Sequence, residues 1–281
     1  MGRAIAQTVA AAGVKVTICE PTHQLAKQLI QQIREDLDEQ IANWAITEDE
    51  KEIYLSIIEA ASDLTAMLDM DFVIECVPED ISLKQEVFSN LDEIVPEDVV
   101  LSSNTSTISI SAIASATRHP ERILVTHFMY RHVDSPSLVE LVRGVHTSDE
   151  AMETARALMK ALGKTPIEVN EYPGYITTRL LIPLINEALF ILQDEVASPE
   201  DVDRAAKLGY GFPIGPLALA DLMGLDQLLY AMHSLFRELG DPKYRPCSLL
   251  RRYVRDGRLG RKTRHGIFKY DVEGPPEEKK E

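Results

Sequence analysis

Short β-branched runs alternate with helical periodicities through the first 170 residues and then stop, and this pattern constrains the fold more than any other feature. Strand patterns lie over 14–20 (VKVTICE), 72–77 (FVIECV), 99–102, 123–128, 138–142 and 165–169. Between them run helical repeats. Ile5, Val9 and Ala12 mark a helix over 2–12 that stops at Gly13. Leu25, Leu29, Ile33, Leu37 and Ile41 recur every fourth residue, and Thr47 with Glu50 forms a capping box for a helix continuing through Ile53, Ile57 and Ile58. Leu83, Val87, Leu91 and Ile94 mark the next helix, and a last one covers 148–162. Strand–helix repetition with nearly continuous apolar strands predicts a parallel sheet covered on both faces, a doubly wound α/β domain. After Pro173-Gly174 only helices follow. A run apolar on nearly every side covers 180–191, Ser198-Pro199 with Asp201 starts another helix, and further helical runs cover about 216–239 and 247–255. The 281 residues suit two domains of roughly 150 each. The expected division is 1–172, α/β, and 173–281, all-helical, ending in a frayed polar tail over 274–281.

Charge and cysteine usage narrow the function classes. Twenty-nine basic against 45 acidic residues leave a net charge of −16, which disfavours nucleic acid and anionic membrane as partners. No apolar run reaches the ~18 residues of a membrane-spanning helix. Cys19, Cys76 and Cys247 show no metal-ligand spacing, and no metal is expected. With no signal peptide pattern, the expectation is a cytoplasmic protein with buried thiols.

A doubly wound nucleotide domain usually opens with a strand, then G-x-G-x-x-G, then a helix. Here Met1-Gly2 leads directly into the helix, so Gly2 stands as the third glycine and the earlier parts of the fingerprint are not in the chain. Glu20, at the end of the next strand pattern, is placed to accept hydrogen bonds from an adenosine ribose and to repel a 2′-phosphate, which favours NAD over NADP. Alone, it reads as readily as a strand-end surface charge.

MGRAIAQ (1–7), FVIECVPED (72–80), SSNTSTISI (102–110), THF (126–128), LVELV (138–142), PGYITTRLLIPLINEAL (173–189), GPLALADLMGLD (215–226) and GRKTRHGIFKY (260–270) occur together in this order. In these blocks, over almost its whole length, the chain resembles the 3-hydroxyacyl-CoA dehydrogenase family. The resemblance implies a Rossmann-type domain followed by an all-helical C-terminal domain that pairs subunits. It implies oxidation of an L-3-hydroxyacyl thioester, short-chain by expectation, by NAD. Position by position, Glu20 would hold the adenosine ribose and Gly2, Glu79, Lys84, Ser106 and Lys262 would line the cofactor site. Ser106, His127, Glu140 and Thr178 would face the substrate.

The chemistry supports such a set. Removing a hydride from a secondary alcohol needs a base for the hydroxyl proton, and histidine titrates in the right range. His127 sits where the strand ILVTHF ends, at the sheet edge where open α/β folds bind ligands. Glu140, supplied by the resemblance, would fix the imidazole tautomer and stabilise the imidazolium. Ser106 can donate to the substrate oxygen. By itself His127 reads as a satisfied strand-end histidine, and Ser106 could cap a helix starting near Ser109.

Three departures from the family surround the substrate. HFMYR (127–131), followed by His132, replaces the family's HFFNP. One extra residue separates His127 from Glu140. Thr178 replaces the asparagine of the PGF-x-x-NR motif, a hydroxyl with shorter reach than an amide. In addition, residues 35–62, the helical hairpin where the family meets coenzyme A, carry nine acidic residues and one basic, Lys51. That is the usual solvated face of a helix pair, yet phosphates prefer basic groups. Two alternatives therefore stand beside the thioester dehydrogenase: a dehydrogenase of a small free 3-hydroxy acid, and a catalytically silent binding or structural relative. The apolar run over 180–191 predicts a homodimer formed through the helical domain.

Overall fold

The computed structural model describes residues 1–129 and 138–270, in two units, Met1–Tyr172 and Pro173–Glu281. In the first unit the order is α1 (Gly2–Ala11), β1 (Val16–Cys19), α2 (His23–Ala42), α3 (Glu48–Ser56), β2 (Ile58–Ala61), β3 (Phe72–Glu75), α4 (Ile81–Ile94), β4 (Val100–Ser103), α5 (Ile110–Ala114), β5 (Ile123–Phe128), β6 (Leu138–Arg143), α6 (Asp149–Ala161) and β7 (Thr165–Asn170). Every strand pattern read from the sequence becomes a strand, within a residue or two at its ends.

The sheet differs from the expected one in two respects. β1 and β2 pair in parallel as a two-stranded sheet, while β3-β4-β5-β6-β7 form a five-stranded one. Within the latter, β6 runs antiparallel to β5, and only the neighbours β3–β4, β4–β5 and β6–β7 are parallel. β2 itself is a correction, since the helical repeat through Ile53, Ile57 and Ile58 ends at Ser56. Ile58 instead pairs with Val16 and is buried in β2, so tertiary pairing overrides the local period.

Helices cover the sheets through one face each. In α2, Ile33 and Leu37 are buried while Leu25 is 44% exposed and Ala26 takes the inward position. A strict four-residue repeat drifts around a 3.6-residue helix, so its first member leaves the buried stripe. α1 serves both sheets. Its Ile5 and Val9 pack into a core with Val100, Leu124, Leu141 and the α6 residues Met152 and Ala155, while Ala10 joins Ile33, Leu37 and Ile58.

The second unit contains α7 (Thr177–Gln193), α8 (Pro199–Tyr210), α9 (Pro216–Met223), α10 (Leu225–Leu239) and α11 (Ser248–Arg255). The run read over 216–239 is two helices, separated at Gly224, whose φ of +95° no helix continues. Ser198 caps α8 with Pro199 in its first turn. α7 is not buried all round within this chain: Ile182, Ile185 and Leu189 enter the core, but Leu180 is 71% and Leu184 41% exposed. No helix among the described residues is long and apolar enough to cross a membrane. The polar tail over 274–281 lies outside the described residues.

Candidate functional site

The carboxyl ends of β3, β4 and β5 carry most of the residues singled out in the first unit. Ligands of open α/β sheets bind at such an edge, because the crossover helices leave the loops there free to diverge.

His127 and Glu140 are direct partners across the antiparallel β5–β6 ladder. Opposite residues on one face bring their side chains within reach, and here His127 Nδ1 lies 2.7 Å from Glu140 Oε2. Both are buried, at 7% and 0% exposure. An ionised carboxylate only accepts, so Nδ1 carries the hydrogen and donates it, which in the neutral ring leaves the lone pair on Nε2. The pairing arises from strand register, and it needs β6 to run against β5. Tyr130, Arg131 and His132, where the sequence departs from the family, lie outside the described residues.

Glu79, Lys84 and Ser106 meet in one buried network. Lys84, 1% exposed on α4, donates to Glu75 Oε1 at 2.8 Å and Oε2 at 3.0 Å and to the Val77 carbonyl at 3.2 Å. Its Nζ also lies 3.4 Å from Glu79 Oε2. The other oxygen of Glu79 gathers the loop after β4, accepting from the backbone N–H groups of Ser106 at 3.2 Å and Thr107 at 3.3 Å and from the Thr105 hydroxyl. Ser103 Oγ donates to Glu75 Oε2 at 2.7 Å. Lys84 therefore points inward to two carboxylates, and its part in the edge is to hold Glu79 and, through it, the loop. Ser106 does not cap α5: Ser109 does, accepting from Ala112 N–H at 3.1 Å. Ser106 sits half-buried in the loop with its backbone fixed by Glu79.

Sequence reasoning missed Glu75 and Asn104. Glu75 had a signal, a carboxylate inside the apolar strand FVIECV, which must be paired to be buried. Asn104 had none. Its Oδ1 accepts the Phe128 N–H at 2.9 Å, beside His127, and its own N–H donates to the Glu75 carbonyl at 2.9 Å.

The amino end of α1 fits a dinucleotide phosphate. Gly2 opens the helix against the residue after β3, where an added methyl would come 3.3 Å from Cys76 Cβ, so close packing leaves little room for a side chain. No side chain caps this end and no acidic residue lies in the first turn, so its N–H groups can serve an anion. Glu20 follows β1, half-buried, with its N–H on the Ala61 carbonyl. Burial pushes the Cys76 thiol up to about 12, which makes it a packing group and no nucleophile.

Thr178 and Lys262 belong to the helical unit. Thr178 is half-buried in the first turn of α7. Lys262 Nζ donates to both Asp226 oxygens at 2.6 Å.

Comparison with known proteins gives two family-model matches. Residues 1–172 match the 3-hydroxyacyl-CoA dehydrogenase NAD binding domain, and residues 174–270 the C-terminal domain of the same family. A probable 3-hydroxybutyryl-CoA dehydrogenase of Bacillus subtilis is 41% identical, with 96% of this chain and 94% of that protein aligned. The 3-hydroxybutyryl-CoA dehydrogenase of Clostridioides difficile is 39% identical, with 96% of each covered. The crystal structure of (S)-3-hydroxybutyryl-CoA dehydrogenase from Ralstonia eutropha superposes with a TM-score of 0.86 at 40% identity, over 97% of this chain and 96% of that one.

Proposed function

The chain belongs to the 3-hydroxyacyl-CoA dehydrogenase family, and from that premise we propose how its own residues carry the reaction. It is an NAD-dependent oxidoreductase that oxidises a short-chain 3-hydroxyacyl-CoA to the 3-ketoacyl-CoA. When bound, NAD supplies the hydride acceptor. Glu20 binds the adenosine ribose and the α1 amino end with Gly2 receives the pyrophosphate. His127 takes the hydroxyl proton at Nε2. Glu140 holds the tautomer that leaves Nε2 basic, and its charge stabilises the imidazolium once the proton has arrived. Ser106 donates to the substrate oxygen, and Thr178 supplies a second hydroxyl to the substrate. Glu79 and Lys84 shape the cofactor-side edge by fixing the loop that carries Ser106, and Lys262 is assigned to the cofactor by the family resemblance alone.

The observation that carries this reading is the buried 2.7 Å pair of His127 and Glu140 at the strand edge. The acidic hairpin offers coenzyme A phosphates little, its one basic residue, Lys51, being bound to Asp38 and Glu48. The names of the relatives outweigh that feature in favour of the thioester. The protein acts as a homodimer, because Ile176, Leu180 and Leu184 recur every four residues around α7 at 43%, 71% and 41% exposure, a stripe suited to a second copy.

Initial rates of NADH formation from L-3-hydroxybutyryl-CoA and from free 3-hydroxybutyrate test the substrate. Turnover of the thioester at far higher kcat/KM is expected. Equal or better use of the free acid would move the assignment to free hydroxy acids, and no turnover of either would favour a silent relative.

A further inference from the structure

The ladder between β4 and β5 ends at Ser103 and Val125, whereas β5 continues to Phe128. The stretch that carries His127 therefore has β6 on one side and, on the other, has run past the end of β4. A backbone N–H on that side needs an acceptor, and the Asn104 side chain provides it, with Oδ1 2.9 Å from Phe128 N. Asn104 is well placed to hold rather than follow. Its own N–H is on the Glu75 carbonyl at 2.9 Å, and the next residues are drawn in by Glu79. One residue thus ties the ends of β3 and β5 together across the end of β4, its backbone N–H on Glu75 and its side chain on Phe128, one residue from the imidazole.

We propose that Asn104 is a positioning residue for the reaction: it holds the end of β5 so that His127 stays in register with Glu140 and at a fixed height on the sheet edge. The proposal rests on the reading of His127 as the proton acceptor. The required atom is a carbonyl-type oxygen, because an N–H must be met by an acceptor, and that requirement also fixes which way the amide faces. Aspartate preserves this oxygen and alanine removes it. The NH₂ group of Asn104 makes no hydrogen bond to a described residue, so its loss in Asn104→Asp breaks no hydrogen bond among the described residues.

The experiment compares Asn104→Ala and Asn104→Asp with His127→Ala, measuring kcat per NADH-binding site, KM, and hydrogen exchange at the Phe128 amide. Counting NADH-binding sites removes any difference in the fraction of folded protein. In Asn104→Ala the Phe128 amide should exchange about tenfold faster, the factor for one lost hydrogen bond. Its kcat should fall by about 10–100-fold with KM within about threefold, as expected when a reacting group is displaced by up to an ångström. Asn104→Asp should restore amide protection and most of kcat.

Unchanged exchange in Asn104→Ala would overturn the clamp whatever the activity. Wild-type kcat in Asn104→Ala, with His127→Ala inactive, would overturn the role of Asn104 alone. Asn104→Asp as slow as Asn104→Ala would show that the acceptor oxygen is not what matters, and would overturn it too. Wild-type turnover in His127→Ala would instead overturn the reading on which the proposal rests.

Discussion

Replacing Lys84 by methionine keeps the length and much of the packing of the side chain and removes only its charged end. That end lies 2.8 and 3.0 Å from the two oxygens of Glu75 and 3.4 Å from Glu79, and both the Lys84 and the Glu75 side chains are 1% exposed. Without the ammonium, Glu75 keeps the Ser103 hydroxyl and the Val77 N–H but loses its counter-charge in the interior. Removing one partner of a buried ion pair costs roughly 3–5 kcal/mol, since the other charge is stranded. At about 2–4 °C per kcal/mol for a domain of this size, Tm should fall by about 6–20 °C. Urea unfolding followed by far-UV circular dichroism is the suitable assay, because the single tryptophan, Trp44, is 95% exposed and reports little of the core. Adding Glu75→Gln to Lys84→Met removes the stranded charge and should recover more than half of the loss. A loss under about 1 kcal/mol for Lys84→Met, or a double variant whose loss is the sum of the two single ones, would refute the coupling.

Glu20→Ala should narrow the preference for NADH over NADPH, read as the ratio of their dissociation constants; an unchanged ratio would remove Glu20 from the ribose. At Asp92, burial alone would push the carboxyl up, but the Arg122 guanidinium and the Arg118 N–H outweigh it and hold the group below the usual carboxylate value of 3.8. A depressed acid stabilises the fold above its unfolded pKa and stops doing so as the pH falls through its folded one. The stability gap between wild type and Asp92→Asn should therefore be full at neutral pH and close as the pH drops below 3.8; a pH-independent gap would contradict this. On the proposed homodimer, wild type should sediment as a dimer and Leu180→Glu with Leu184→Glu as a monomer; a monomeric wild type would overturn the proposal.

How far the residues disclosed this arrangement depended on whether local pattern or long-range pairing decides each element. The runs FVIECV and ILVTHF become β3 and β5 because their apolar character serves burial on both faces. LVELV likewise becomes β6, but nothing in its pattern states its direction, and direction is what sets Glu140 opposite His127. That pair was legible only through the family resemblance. β2 was hidden because Ile57 and Ile58 extend a helical repeat that β1 interrupts by pairing. Lys84 is expected, from the resemblance, to line the cofactor site; its Nζ meets Glu75, a glutamate whose place in an apolar strand already asks for a cation. Asn104 acts through the backbone N–H of Phe128 on the neighbouring strand, a pairing that leaves no periodicity in the sequence, so no local signal marks it.

The central claim is that His127 moves the proton and Glu140 tunes it. The pH dependence of kcat for the forward and reverse reactions, in wild type and in Glu140→Gln, tests it most directly, with His127→Ala as the control. Oxidation needs the neutral imidazole, so its rate should fall as the pH drops; ketone reduction needs the imidazolium, so its rate should fall as the pH rises. Glu140→Gln removes the carboxylate that accepts from Nδ1 and should lower kcat in both directions. His127→Ala should lose about 10²–10⁴-fold in rate while still binding NADH. Unchanged kcat in Glu140→Gln, together with near-wild-type turnover in His127→Ala, would contradict the assignment.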